Sequence, residues 1–179
     1  MTGKGPVWPP AGSDPSQGEA WTAEPGNYDQ EWGPLWRNDP THDLQTPFYG
    51  FQRVDLAVDH GDQVWGHYER WLARTHPEVR RQWGPEHALP APGFVLTEHH
   101  QAWRTRVPEE CSTTAYLGDQ TIRQLREHAA GKQPFFIQCS FPDPHHPFTP
   151  HGKYWSMYRP EDVALPHSFH ASAAPDHRP

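Results

Sequence analysis

Proline occurs 22 times and glycine 14 times in this chain of 179 residues, so about one residue in five interrupts a helix or a strand ladder. That spacing excludes coiled coils, long helical repeats and membrane-spanning helices, and no apolar run approaches the roughly 20 residues a bilayer requires. The aliphatic supply is equally restrictive. Leu, Ile, Val and Phe together number 27, a share below that of well-filled globular cores. Nine Trp, six Tyr and eight Phe offset this, because each buried ring removes about 150–250 Å² from water and disordered chains are poor in such rings. The composition predicts an ordered but loop-rich structure of one domain.

Lys and Arg number 15 against 22 Asp and Glu, a formal net charge of −7 with histidine neutral. Without a basic stripe to release counterions, nucleic acid is not an expected partner, and neither is a membrane. Fourteen histidines make the charge depend steeply on pH below neutrality. Cys111 and Cys139 form neither a CxxC pair nor a disulfide framework, so both read as structural. The first residues lack the charged and apolar regions of a secretory leader, which makes the chain, as written, an expected cytoplasmic one.

Residues 1–47 hold Pro9-Pro10, Gly12 to Ser16 and Glu24 to Asn27 with no apolar period. They are expected to be loop, ordered only where Trp8, Trp21, Trp32 and Trp36 find something to pack on. From Phe48 onward the pattern changes. Val54, Leu56 and Val58 alternate with Asp55, Ala57 and Asp59 as in a half-buried strand, and then Val64, Tyr68, Trp71 and Leu72 recur at helical spacing. This predicts a helix over about 62–75, capped by Asp62 and closed at His76-Pro77. A longer helix is predicted from Cys111-Ser112-Thr113 to Gly131, with Ala115, Gly118, Ile122, Leu125 and Ala129 on the face that meets a sheet.

The run Pro134 to Ser140, PFFIQCS, reads as a buried interior strand. It feeds a loop, Phe141 to Pro150, stiffened by Pro142, Pro144, Pro147 and Pro150. In open α/β sheets ligands sit beyond the carboxyl ends of strands. Asp143, His145 and His146 are therefore candidate functional side chains with little conformational freedom left to lose.

The string QPFFIQCSFPDPHHPFTPHGKYWSMYRPEDVALPHSF, residues 133–169, resembles the sulfatase family, in which a PFF strand ends in a segment of the type SF-x-x-PH-x-P followed by GKYW-like and PEDV-LP segments. The resemblance extends more weakly through YGFQRVDLAVDHGDQVWGHYERWL, so it covers roughly residues 48–170, with 171–179 as a tail. It implies an α/β class: part of an alkaline-phosphatase-like fold, helices packed on a mostly parallel sheet, with a loop-rich N-terminal third. It further implies a hydrolase acting on a sulfate-ester small molecule or a sulfated glycan. A complete parent would use formylglycine as nucleophile and calcium to polarise the sulfate. His145 falls at the family's pocket histidine, which makes it the implied catalytic residue, donating to a sulfate oxygen. His146 and Lys153 are the implied substrate-binding residues beside it.

Departures from the family matter as much. Neither cysteine lies in a C/S-x-P-x-R nucleophile motif, and Ser13-Asp14-Pro15-Ser16-Gln17 carries Gln where the motif needs Arg. Asp59-His60-Gly61-Asp62 resembles the family's metal segment but precedes the histidine loop instead of following it. It reads instead as a strand-to-helix turn, with Gly61 relieving backbone strain and Asp62 capping. Gly3-Lys4 fails to match the family's G-K-x-H segment because Pro6 stands where the histidine would fall. His99-His100 lacks zinc spacing. No residue is therefore assigned to a metal, no cofactor is expected on this chain alone, and as an interior piece it is expected to be inactive and marginally stable, with an exposed sheet edge. Two alternatives stay open: a phosphodiesterase or phosphonate monoester hydrolase of the same superfamily, and a non-catalytic module that binds a sulfated ligand through Trp and His. The oligomeric state is left open.

Overall fold

The structure is a computed structural model and describes residues 2–3, 29–91 and 101–169. Trp8, Trp21, the Ser13 to Gln17 run, Lys4, Pro6 and His99-His100 lie outside the described residues. In chain order the elements are β1 (Thr2–Gly3), a 3-10 turn (Asp29–Glu31), α1 (Gly33–Asn38), β2 (Asp55–Val58), β3 (Trp65–Gly66), α2 (His67–Thr75), α3 (Pro77–Arg80) and α4 (Thr113–Ala129), with short 3-10 turns at Pro85–His87, Glu109–Cys111, Gly152–Ser156 and Pro160–Asp162. The described residues are thus mixed α/β. Their sheet is small and not mostly parallel: β2 pairs parallel with β1 over Thr2–Asp55 and Gly3–Leu56, and antiparallel with β3 over Ala57–Gly66 and Val58–Trp65.

β2 divides the core. Leu56 and Val58 join Trp36 on one side, while Ala57 on the other meets Val64, Tyr68, Leu72 and Leu117. The alternating pattern announced a strand with one buried face, but all three of Leu56, Ala57 and Val58 are buried. Trp36 also explains why the region 1–47 is not wholly loop. Pro34 presets a helical φ at the start of α1, and burial of the Trp36 ring holds that single turn and a half in place.

The helix expected over about 62–75 begins only at His67, because Asp62 is not its cap. Asp62 is 2% exposed and its carboxylate accepts from Gly84 N at 3.2 Å, Trp103 Nε1 at 3.1 Å and Thr105 Oγ1. Residues between it and the helix form β3 instead. There Gly66, at φ 101°, runs so close to β2 that a Cβ would lie 2.7 Å from the Leu56 carbonyl oxygen. The end of the helix is as expected, at Thr75 with His76 and Pro77 beyond.

α4 starts where the sequence places it. Ser112 is the N-cap and accepts from Ala115 N at 3.0 Å. Its buried face differs, being built from Thr113, Tyr116, Leu117 and Gln124, while Ile122 and Leu125 are exposed. The reason is the aromatic core. Tyr116 meets Tyr68 at 5.6 Å and Trp71 at 5.1 Å between ring centroids, and Gln124 Nε2 donates to Asp55 Oδ2 at 2.7 Å.

The expected buried strand at 134–140 is not formed. The run belongs to no strand, with a single bridge position at Cys139, and Phe135 and Phe136 are 46% and 76% exposed. A buried strand needs a neighbour to complete its ladder; β2 is paired on both sides by β1 and β3, and no strand of the described residues pairs with this run.

Two outcomes follow for stability. Asp62→Ala strands three buried donors and is expected to lower unfolding free energy by about 2–4 kcal/mol; urea denaturation giving a loss below about 1 kcal/mol would contradict the network's importance. Glu31 is 5% exposed and neither carboxylate oxygen has a hydrogen-bond partner among the described residues, so burial pushes its pKa from 4.5 to about 7. The folded state therefore holds this proton longer than the unfolded chain does. The group's contribution is complete below about pH 4.5 and is lost as pH rises through about 7, a difference of up to about 3 kcal/mol. Glu31→Gln is expected to flatten that part of the stability–pH curve, raising the urea midpoint at about pH 8 while leaving it unchanged at about pH 4.

Candidate functional site

The proline-stiffened loop after the apolar run is fixed at several points. Asp143 Oδ2 accepts from Thr114 Oγ1 at 2.8 Å, which ties the start of the loop to the first turn of α4. The amide of Phe148 donates to the Gln101 carbonyl at 2.8 Å, and the Phe148 carbonyl accepts from Trp103 N at 3.1 Å. Beyond it, His151 Nδ1 donates to the Val107 carbonyl at 2.9 Å. Pro142 and Thr149 are buried, while the residues between are largely exposed. The loop thus holds its tip out on anchored ends.

His145 and His146 sit on that tip. The His145 amide closes a turn onto the Pro142 carbonyl at 3.1 Å. His145 Nδ1 lies 2.6 Å from the His146 carbonyl oxygen. A carbonyl only accepts, so Nδ1 carries a proton and Nε2 is the nitrogen left for a ligand. The two rings touch, with centroids 4.4 Å apart at 30°. A third ring joins them from the turn after β2. His60 stacks on His145 with centroids 3.7 Å apart and planes 17° from parallel, and its Nδ1 is 3.2 Å from Asp59 Oδ1.

The contact depends on how closely the turn meets the loop. Gly61 lies at φ 63°, and a Cβ there would stand 2.9 Å from Pro147 Cγ and 3.2 Å from the Pro147 carbonyl oxygen. The segment read from sequence as a mere turn therefore forms one wall of the histidine cluster. No periodicity links residues so far apart in the chain, so this pairing was not legible beforehand.

Lys153 is engaged elsewhere. Its Nζ is 3.2 Å from Glu109 Oε2 and 4.9 Å from the Tyr154 ring centroid, and Tyr154 Oη donates to Glu109 Oε1 at 2.8 Å. The Tyr154 and Lys153 hydrogen bonds hold the Glu109 carboxyl below its ordinary range, and Glu109 in turn raises the Lys153 ammonium. Beside this trio a cavity of about 560 Å³ opens between the start of α4 and the loop, lined by Ser112, Thr114, Asp143, Phe148, His151 and Tyr154 among others. None of His145, His146 and Lys153 lines it. With Glu109 and Asp143 on its wall and rings around them, it is a poor seat for an anion.

Calcium takes six to eight oxygen ligands from several clustered carboxylates or carbonyls. Among the described residues no group of three or more His, Cys, Asp and Glu could hold a metal ion. Stacked imidazoles do not serve either, since their nitrogen lone pairs lie in near-parallel planes and do not converge on one point. The described residues therefore do not fit the metal that the sulfatase resemblance implies for a complete parent, and no step is assigned to it. Cys111 is buried among the core residues, which raises its thiol, while Cys139 is exposed; neither is bonded to the other. Among the described residues no helix is long and apolar enough to cross a membrane.

No family model matches the chain, and no solved structure matches it. The chain is similar to a multifunctional alkaline phosphatase superfamily protein, PehA, of Trinickia caryophylli, with 29% identity over 103 residues that cover 55% of this chain and 18% of that protein. The chain thus spans less than a fifth of that relative's length. The similarity supports the alkaline phosphatase superfamily as the chain's relationship, without singling out its sulfatases.

Proposed function

We propose that this chain is the anion-pocket segment of an alkaline-phosphatase-superfamily hydrolase, that the esters in question are sulfate esters, and that the chain by itself binds the anion without cleaving it. The observation that carries this reading is the state of His145. Its Nδ1 proton is committed to the His146 carbonyl, so protonation at Nε2 yields a donor on a ring already restrained at its other nitrogen. Such a restrained donor is what a sulfate oxygen with developing charge requires. The run of residues resembling sulfatases includes this loop, and the similarity to an alkaline phosphatase superfamily protein agrees with a hydrolase of that superfamily.

Within this reading His145 is the residue that contacts the anion, and His146 supplies both the carbonyl that sets the His145 tautomer and a second ring beside it. Lys153 is a substrate-binding residue only if an incoming anion displaces Glu109 from its ammonium group. Hydrolysis in a complete parent needs a nucleophile and a cation that the sequence motifs here do not offer. Formylglycine and calcium would supply those in a sulfatase.

The name of the relative does not choose between sulfate and phosphate esters, so the experiment carries both anions. The histidine Cε1–H signals of the chain are followed by nuclear magnetic resonance at about pH 6 while sodium sulfate or sodium phosphate is added. Saturable movement of the His145 signal by sulfate is expected, together with movement of the neighbouring His146 signal that is lost in His145→Ala. A stronger response to phosphate would move the assignment to a phosphodiesterase or phosphonate hydrolase. No saturable movement with either anion would overturn the reading.

A further inference from the structure

We propose that His60 is a positioning residue for His145, holding the plane of its ring so that Nε2 faces a bound oxyanion; this rests on the anion-pocket reading of the histidine loop. An imidazole on an exposed loop tip has two torsions, and a single hydrogen bond from Nδ1 limits them without supporting either face of the ring. The plane itself needs a contact on its face. His60 supplies one, at 3.7 Å and 17°.

His60 is suited to this because it is itself held. Its side chain is 12% exposed and its Nδ1 meets the Asp59 carboxylate. The next two residues fix the backbone on the other side: Gly61 is pressed under Pro147, and Asp62 is bound by donors from Gly84, Trp103 and Thr105. An exposed ring therefore rests on a largely buried one whose backbone cannot shift without breaking buried hydrogen bonds. No helical or strand spacing brings these residues together; the juxtaposition arises only from the docking of the β2–β3 turn against the proline loop.

Two variants separate stacking from other effects. His60→Ala removes the ring, and His60→Phe keeps a ring while removing both nitrogens. In the absence of ligand, the ring current of His60 is expected to shift the Cε1–H and Cδ2–H signals of His145 upfield, a shift lost in His60→Ala and kept in His60→Phe. Sulfate binding is expected to weaken about two- to tenfold in His60→Ala, the range set by one ring–ring contact, and to stay within about twofold in His60→Phe. Circular dichroism melts establish that each variant is folded.

Unchanged His145 signals and unchanged sulfate affinity in folded His60→Ala would overturn the proposal. So would loss of binding in folded His60→Phe, since the ring face would then not be the agent. Should His60→Ala fail to fold, the His60→Phe result decides alone. If the wild-type chain binds neither sulfate nor phosphate while the His145 ring shift is present and disappears in His60→Ala, the anion reading falls and the placement of His145 by His60 stands.

Discussion

A single buried carboxylate organises this chain. Asp62 accepts hydrogen bonds from Gly84, Trp103 and Thr105, which lie on two segments that are remote from it in sequence. The segment it captures is also the one that holds the histidine loop, through Gln101 and Trp103 on Phe148 and through Val107 on His151. Both partners of the His60–His145 stack thus depend on Asp62. His60 precedes it on the same turn, and His145 rides on a loop anchored to the strip that Asp62 binds. An unpaired carboxylate in that position would be strongly unfavourable, so the whole arrangement forms or fails together.

The core around it is built to a low aliphatic ration by using aromatic rings and arginines. Tyr68 stacks on Trp83 at 6.0 Å and 7°, and its hydroxyl donates to the Cys111 carbonyl at 2.9 Å, which satisfies the one polar atom that the ring carries inward. Arg80 lies 4.0 Å over Trp83 and Arg70 lies 4.4 Å over Trp36, so guanidinium groups cover ring faces that aliphatic side chains would otherwise have to seal. Arg80 also pairs with the buried Glu69, whose other oxygen is 3.7 Å from Arg37 on α1. The charges inside this small protein are partnered in such a way that they link α1, α2 and α3. Among the described residues the buried carboxylate of Glu31 has no such partner, and its raised pKa is the consequence.

What was legible in the sequence was what local chemistry decides. β2 was readable from alternation, the start of α4 from Ser112, and the end of α2 from His76-Pro77. Tertiary demands hid the rest. Asp62 obeyed no capping rule because its carboxylate had three buried donors to satisfy, and α2 consequently begins at His67. The inward face of α4 could not be read from its aliphatic residues because Tyr116 and Leu117 fill the space beside Tyr68, leaving Ile122 and Leu125 outside. Of the candidate site, the proline loop and its two histidines were visible as a motif. His60 was visible only as part of a turn, since a stack between distant loops leaves no periodic trace, and the Glu109 partner of Lys153 was hidden for the same reason.

The run Pro134 to Phe141 has the composition of an interior strand and the surroundings of a surface one. Phe135, Phe136 and Phe141 are all exposed, and a strand of this kind is stable when sheet neighbours complete its ladder and cover its faces. The chain matches 18% of its relative's length. If it works as proposed, the missing neighbours belong to the remainder of a larger domain, and binding and hydrolysis separate cleanly. The histidine stack is assembled by contacts among Asp62, Gly61, Pro147 and His145, all within the described residues, so it does not need that cover. The reaction does, because no C/S-x-P-x-R motif occurs in the 179 residues. An anion site that forms without its nucleophile is the physical content of reading this chain as one wall of a larger active site.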